Sequence, residues 1–120
     1  MNCDTIIFMK GLIIKKPWLD LIFEGKKIWE IRGCNTKTRG IIKLIQSGSG
    51  LIVGECELVD SKQLSLLEYK DNINKHQVQN VDNLPYPKTF AWELKNAKRY
   101  KIPKPYKHKC GAVIWVNLDE

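Results

Sequence analysis

The stretch Gly25-Lys26-Lys27-Ile28-Trp29-Glu30-Ile31-Arg32 lies where the hydrophobic period of the chain changes. Before it, Trp18, Leu21 and Ile22 recur at i, i+3 and i+4, which is one face of a helix. Pro17 suits the first turn of that helix, where its missing N–H costs nothing, and Gly25 suits the left-handed residue that stops one. The spacing predicts a helix of about two turns over Pro17–Glu24, with its Trp18–Ile22 face on a core. After Gly25, Trp29 and Ile31 alternate with Ile28, Glu30 and Arg32, which is strand spacing. Side chains two apart on a strand share a face, so Glu30 and Arg32 are neighbours, away from Trp29 and Ile31. Lys27, at the junction, can reach the same region. On a half-buried strand such a pair must bond internally, bind something or point to water. A surface ion pair, contributing under ~1 kcal/mol, fits the same spacing.

Outward from this stretch, Gly11–Ile14 reads as a short strand, and Arg39-Gly40 precedes Ile41–Ile45, an apolar run of buried-strand type. Ser47-Gly48-Ser49-Gly50 reads as a hairpin turn, too short and unspecific for a phosphate loop. Leu51–Val59 returns as a strand interrupted by Gly54. Ser61 is placed to cap a short helix through Tyr69. Lys70–Pro87 is polar, holds two prolines and reads as loop with some helix, before strands at Thr89–Leu94 and Ala112–Leu118. There are no repeats, low-complexity segments or linkers, so residues 1–120 are expected to form one domain with its core over about 11–118. The expected class is mixed α/β but mainly β, a small closed or nearly closed barrel of five or six strands with short helices.

The 43% apolar and 28% charged content is that of a globular chain, not a disordered one. No apolar run approaches the ~20 residues that cross a bilayer, so no membrane role is expected. Asp4 precedes a short apolar stretch without a basic lead, which argues against a signal peptide and for a cytoplasmic location. Cys3, Cys34, Cys56 and Cys110 are far apart, and only His108 and Cys110 are near neighbours; reduced thiols, no metal and no cofactor are the expectation. The net charge is +7, spread unevenly. Residues 1–45 hold nine cationic against four acidic residues, residues 46–95 five against seven, and residues 96–120 six against two. If the two basic ends meet, they form one face that attracts phosphates by counterion release; a lysine-rich solvated surface has the same composition.

A wider pattern gives these residues a context. Lys16-Pro17-Trp18, Gly25-x-Lys27-x-x-Glu30-x-Arg32, Arg39-Gly40 and Gly54-x-Cys56 are followed by Phe90-Ala91-Trp92, Pro103–Tyr106 and a last strand around Trp115. From about Gly11 to Leu118 this resembles the ASCH domain family, whose β-barrel is related to the PUA fold of RNA-modifying enzymes. The resemblance implies a cleft beside the helix and strand, lined by Lys27, Glu30 and Arg32 with Trp18 at its wall. Family members bind RNA, DNA or modified nucleosides. One small bacterial member is an amidohydrolase that removes the acyl group of N4-acetylcytidine, using the Lys of the pattern with a Thr nucleophile where this chain has Glu30.

Two functions follow as expectations. In a binding module for RNA or a nucleotide-like ligand, with DNA as another possible partner, Arg32, Arg39 and lysines such as Lys16 and Lys27 hold phosphate. Trp18 then stacks a base and Glu30 accepts from a base edge. In a small hydrolase acting on an acylated nucleoside or on RNA, Lys27 polarises or deprotonates and Glu30 serves as base or nucleophile. Each residue also has a plain reading: Trp18 as core packing, Arg39 as the organiser of its own loop with Thr36 and Thr38, and His108 as a surface residue. Lys98–Lys109, with Tyr100 and Tyr106 among its cations, is either an extended solvated loop or a nucleic-acid surface.

Overall fold

Alternating apolar residues lay down most of the sheet of this protein, a computed structural model that describes residues 9–107 and 114–118. The strands are β1 (Met9–Ile14), β2 (Trp29–Arg32), β3 (Gly40–Gln46), β4 (Leu51–Gln63), β5 (Phe90–Pro105) and β6 (Trp115–Leu118). Three short helices interrupt them: α1 (Trp18–Phe23), α2 (Leu66–Asp71) and α3 (Ile73–His76). All six strands join one sheet in the order β2-β5-β4-β3-β1-β6. Only the β1–β3 pair is parallel; α1 and β2 lie in the crossover between those two strands.

The sheet is rolled. Four strand-to-strand steps separate β2 from β1, about 19 Å if the sheet lay flat, beyond the reach of one side chain. Yet Arg32 Nη2 donates to the Ile13 carbonyl of β1 at 2.9 Å. The mainly β architecture expected from the strand periodicities is present. The hydrogen-bonded ladder leaves β2 and β6 as its end strands, and the Arg32 side chain spans part of that opening. Inside lie Leu12, Ile14, Ile42, Leu44, Val53, Cys56, Leu58, Trp92 and Leu94, with Leu19 and Ile22 of α1 closing one end. Among the described residues no helix is long and apolar enough to cross a membrane.

Several local expectations are corrected. The helix keeps its place but turns its face, with Leu19 and Ile22 fully buried while Trp18 and Leu21 are half-buried. A helix of six residues presents only one i, i+3 pair to the barrel end, and Leu19–Ile22 takes it. It stops at Gly25, whose φ is +77°, and the Lys26 N–H reaches back to the Leu21 carbonyl at 3.0 Å. Ser61 does not cap a helix; it stays in β4 and its hydroxyl donates to Asn35 Oδ1. The cap is Ser65, four residues on, because only there does Glu68 fall at the third helical position to return a bond to the cap N–H.

The last correction is the length of β5. It runs to Pro105 rather than stopping at Leu94, so much of Lys98–Lys109 is strand and not loop. Thirteen residues of β4 offer it a backbone template, and that pairing is indifferent to side-chain polarity. Asn96, at φ +57°, takes up a register shift between Glu55 and Glu57 of β4. On its other side β5 is covered by β2 only over Phe90–Glu93, and Lys98, Lys101, Pro103 and Pro105 occupy the bare length. Lysine and proline there discourage edge-to-edge pairing with another chain. Gly54 lies close under α1 and β5: a Cβ there would collide with the Phe23 ring and the Lys98 carbonyl.

Candidate functional site

The turn after Gly25 aims Lys27 inward, and its side chain is only 2% exposed. Nζ donates to the His76 carbonyl at 2.7 Å, lies 4.9 Å from the Trp18 ring centre and is 3.7 Å from Glu30 Oε1. Burial lowers the Lys27 pKa from 10.5 to about 8; the Arg32 charge pushes the same way, and the Glu30 carboxylate opposes both. A lysine so placed gives up its proton more readily than a surface lysine.

Glu30 and Arg32 share a face of β2, as strand spacing requires, and neither is a surface residue: their side chains are 7% and 15% exposed. Arg32 puts both Nε (2.9 Å) and Nη2 (2.7 Å) on one carboxylate oxygen, Oε2. Its Nη2 is also tied to Ile13, and the guanidinium lies 5.7 Å from the Trp92 ring centre. The other carboxylate oxygen, Oε1, faces Lys27 at a distance too long for a hydrogen bond. The strand thus presents an acceptor beside a donor.

These groups line an open cleft of about 360 Å³. The structure brings Trp18, Lys27, Glu30 and Arg32 together there. Lys16 and Arg39 are not among its lining residues. Lys16 is exposed while its neighbour Lys15 lines the rim. Arg39 orders its own loop, donating to the Thr36 (2.9 Å) and Thr38 (2.7 Å) carbonyls, with Asp60 at 3.6 Å. The rim and walls therefore carry Lys15, Lys27 and Arg32 against the single carboxylate of Glu30.

The facing wall is Tyr69, Val78, Pro85 and Tyr86; all but Tyr69 come from Lys70–Pro87, the segment that sequence periodicity reads as polar loop with some helix. His76, fully buried behind it, is the organiser. Its Nδ1 accepts from the Val78 N–H at 3.0 Å, so Nε2 carries the proton and donates to the Tyr69 carbonyl at 2.7 Å. Burial first, and then the nearby Lys27 charge, hold its pKa below the usual histidine value, against the opposing pull of the Tyr69 carbonyl. The imidazole also stacks on Tyr69 with ring centres 4.5 Å apart. One signal for this wall was present in the sequence: Pro85-Tyr86-Pro87 is a stiffened aromatic turn.

The thiols lie elsewhere. Cys34 is exposed, and Cys56 is buried in the barrel with its pKa pushed up to about 12 by desolvation. Cys3, His108 and Cys110, and the Ala112 start of the last strand, lie outside the described residues.

Comparison with known proteins agrees with this fold. The family model of the ASCH domain matches residues 12–104. Three solved structures of the ASCH protein from Zymomonas mobilis superpose on the chain. A serine-to-alanine mutant gives a TM-score of 0.73 at 12% identity, covering 93% of this chain and 89% of that one. A tyrosine-to-phenylalanine mutant gives 0.66 at 13% identity, covering 82% and 76%. A third structure, described simply as ASCH, gives 0.63 at 14% identity, covering 76% and 69%. At such identities the likeness is one of fold. No curated protein sequence matches the chain.

Proposed function

The chain belongs to the ASCH domain family, and from that premise we propose that the Lys27–Glu30–Arg32 cleft binds a nucleotide unit of RNA. The observation that supports this reading most is the buried polar triad set among aromatic rings. Trp18 and Tyr86 offer π-faces to a base. Glu30 Oε1 accepts from a ring N–H or amino group, and Lys27 Nζ donates to the neighbouring carbonyl or ring nitrogen. Lys15 on the rim faces the phosphate. Direct evidence would come from titrating the protein with single-stranded oligoribonucleotides and 5′-nucleotides while following tryptophan fluorescence. Glu30→Gln keeps the shape and removes the charge, so it should alter the preference among bases by about 1–3 kcal/mol, as base-edge contacts do. Unchanged affinity and unchanged preference would overturn the assignment.

One observation favours a second reading, hydrolysis of an acylated nucleoside such as N4-acetylcytidine. A lysine with a pKa of about 8 beside a carboxylate is suited to move a proton at neutral pH. Glu30 brings no hydroxyl, so water would be the nucleophile. Release of cytidine from N4-acetylcytidine, abolished by Lys27→Met, is the expected outcome of that reading, and no release would dismiss it.

A further inference from the structure

A second and larger cleft, about 550 Å³, opens at the other end of the parallel β1–β3 pair. Its volume lies within the range of small-molecule sites. Ile52 and Leu118 give it an apolar floor, and Tyr100 and Tyr106 bring two aromatic rings to its wall. Three lysines, Lys43, Lys104 and Lys107, line it with no carboxylate among its described lining residues.

The charges are not equivalent. Lys43 is neutralised by Glu55 at 3.1 Å, and both groups are locked to Tyr100, whose hydroxyl donates to Glu55 at 2.6 Å and accepts from Lys43 at 2.5 Å. That network fixes the Tyr100 ring, with Lys43 and Lys104 at 5.2 and 5.9 Å from its centre. Among the described residues, no carboxylate lies within ion-pair distance of Lys104 or Lys107. Lys104 and Lys107, over an apolar and aromatic floor, repel metal ions and basic peptides. They suit an anion that carries a flat ring.

The placement adds a distance. The first cleft takes Ile13 of β1 and Ser47 just beyond β3, and the second takes Met9 and Lys43 of the same two strands. Each pair is four residues apart, or about 13 Å along the strands. A single nucleotide strand can span that gap while engaging both ends.

We propose that this second cleft is a nucleotide site, with Lys104 and Lys107 holding a phosphate and the tyrosine-lined floor receiving the base. It takes a neighbouring nucleotide of the RNA strand bound in the first cleft, an extension that rests on the RNA reading above. The same chemistry would also accept a free nucleotide, so the test uses both sources. In amide-shift titrations of the whole chain, adenosine 5′-monophosphate should move resonances of Tyr106 and Leu118. Inorganic phosphate should move them less, and adenosine alone less again. Lys104→Glu/Lys107→Glu, two exposed positions, should keep its melting temperature and lose about tenfold in that affinity; Lys104→Gln/Lys107→Gln serves if charge reversal disturbs the fold. For a single-stranded oligoribonucleotide, the same variant should flatten the slope of log affinity on log salt by about 0.7, one phosphate contact's worth. Shifts confined to Trp18 and Ser47, or an unchanged affinity and salt slope, would overturn the proposal. An oligonucleotide that binds nowhere, while adenosine 5′-monophosphate still fills the second cleft, would remove the RNA reading and leave the nucleotide site standing.

Discussion

Two lysine–glutamate networks, one lining the first cleft and one reaching the second through Lys43, hold the same kind of charges in opposite ways. In the first, Lys27 and Glu30 are 2% and 7% exposed, and Arg32 closes the set. In the second, Lys43 and Glu55 are 24% and 31% exposed, and a tyrosine hydroxyl takes the place of the guanidinium. Burial dominates the first lysine and pulls its pKa down. It also opposes the charge on Lys43, but there the bonds to Tyr100 and Glu55 prevail and the pKa rises. A network that keeps contact with water can be stabilised by its partners; a buried one first has to recover the solvation it lost. The buried set is therefore costly to hold in a small barrel.

The comparison can be broken most directly at its two carboxylates. Glu30→Ala leaves Lys27 and Arg32 buried without their counter-ion and should cost about 3–5 kcal/mol in urea unfolding. Glu55→Ala, on the wetter network, should cost under ~1 kcal/mol. Similar losses at both sites would show that burial does not separate them.

A pH series sharpens the same contrast. Between about pH 8 and 10.5 the folded chain holds its Lys27 proton less tightly than the unfolded chain does. The unfolded state then binds more protons, so stability should rise with pH across that window, by about 3 kcal/mol for this residue alone. Lys43 has the opposite sign: its raised pKa gives stability that is present below the ordinary lysine value and lost as pH climbs through the folded one. Unfolding free energies of the wild type and Lys27→Met, measured from pH 7 to 10.5, isolate the first effect. A rise that survives in Lys27→Met would refute the assignment.

The smallest effect concerns the cleft wall. A Cβ on Gly33 would lie 2.8 Å from Cδ1 of Tyr86. Gly33→Ala should push that exposed ring off its position, weaken ligand binding several-fold and change stability by under ~1 kcal/mol. An unaltered ligand affinity would take Tyr86 out of the site.

Lys27, Glu30 and Arg32 were legible as a cluster because two local periods meet at Gly25, and local period is what a sequence displays most directly. The strands came through for the same reason. Tyr69, His76 and Tyr86 did not, since their wall is assembled by hydrogen bonds between short helices and an irregular segment, with no repeat to betray it. The far half of β5 was hidden by its own composition. Lysines and prolines read as loop, while the backbone of β4, some fifty residues earlier, holds them as strand. Ser61 and Ser65 differ as caps only through what stands three residues later, a distinction visible in the sequence once both are tried.

The pairing of β1 with β6 sets a schedule for assembly. Met9 stands opposite Leu118 and Lys10 opposite Asn117, so one edge of β1 finds its partner more than a hundred residues downstream. A chain emerging from the ribosome can form α1 and the β3–β4 hairpin early, while β1 waits with an open edge. Closing so long a loop also carries an entropic toll that a hairpin does not. Completion of this domain is thus a late, long-range event, and a nascent chain stalled before Trp115 should remain open to proteases and to non-native strand pairing.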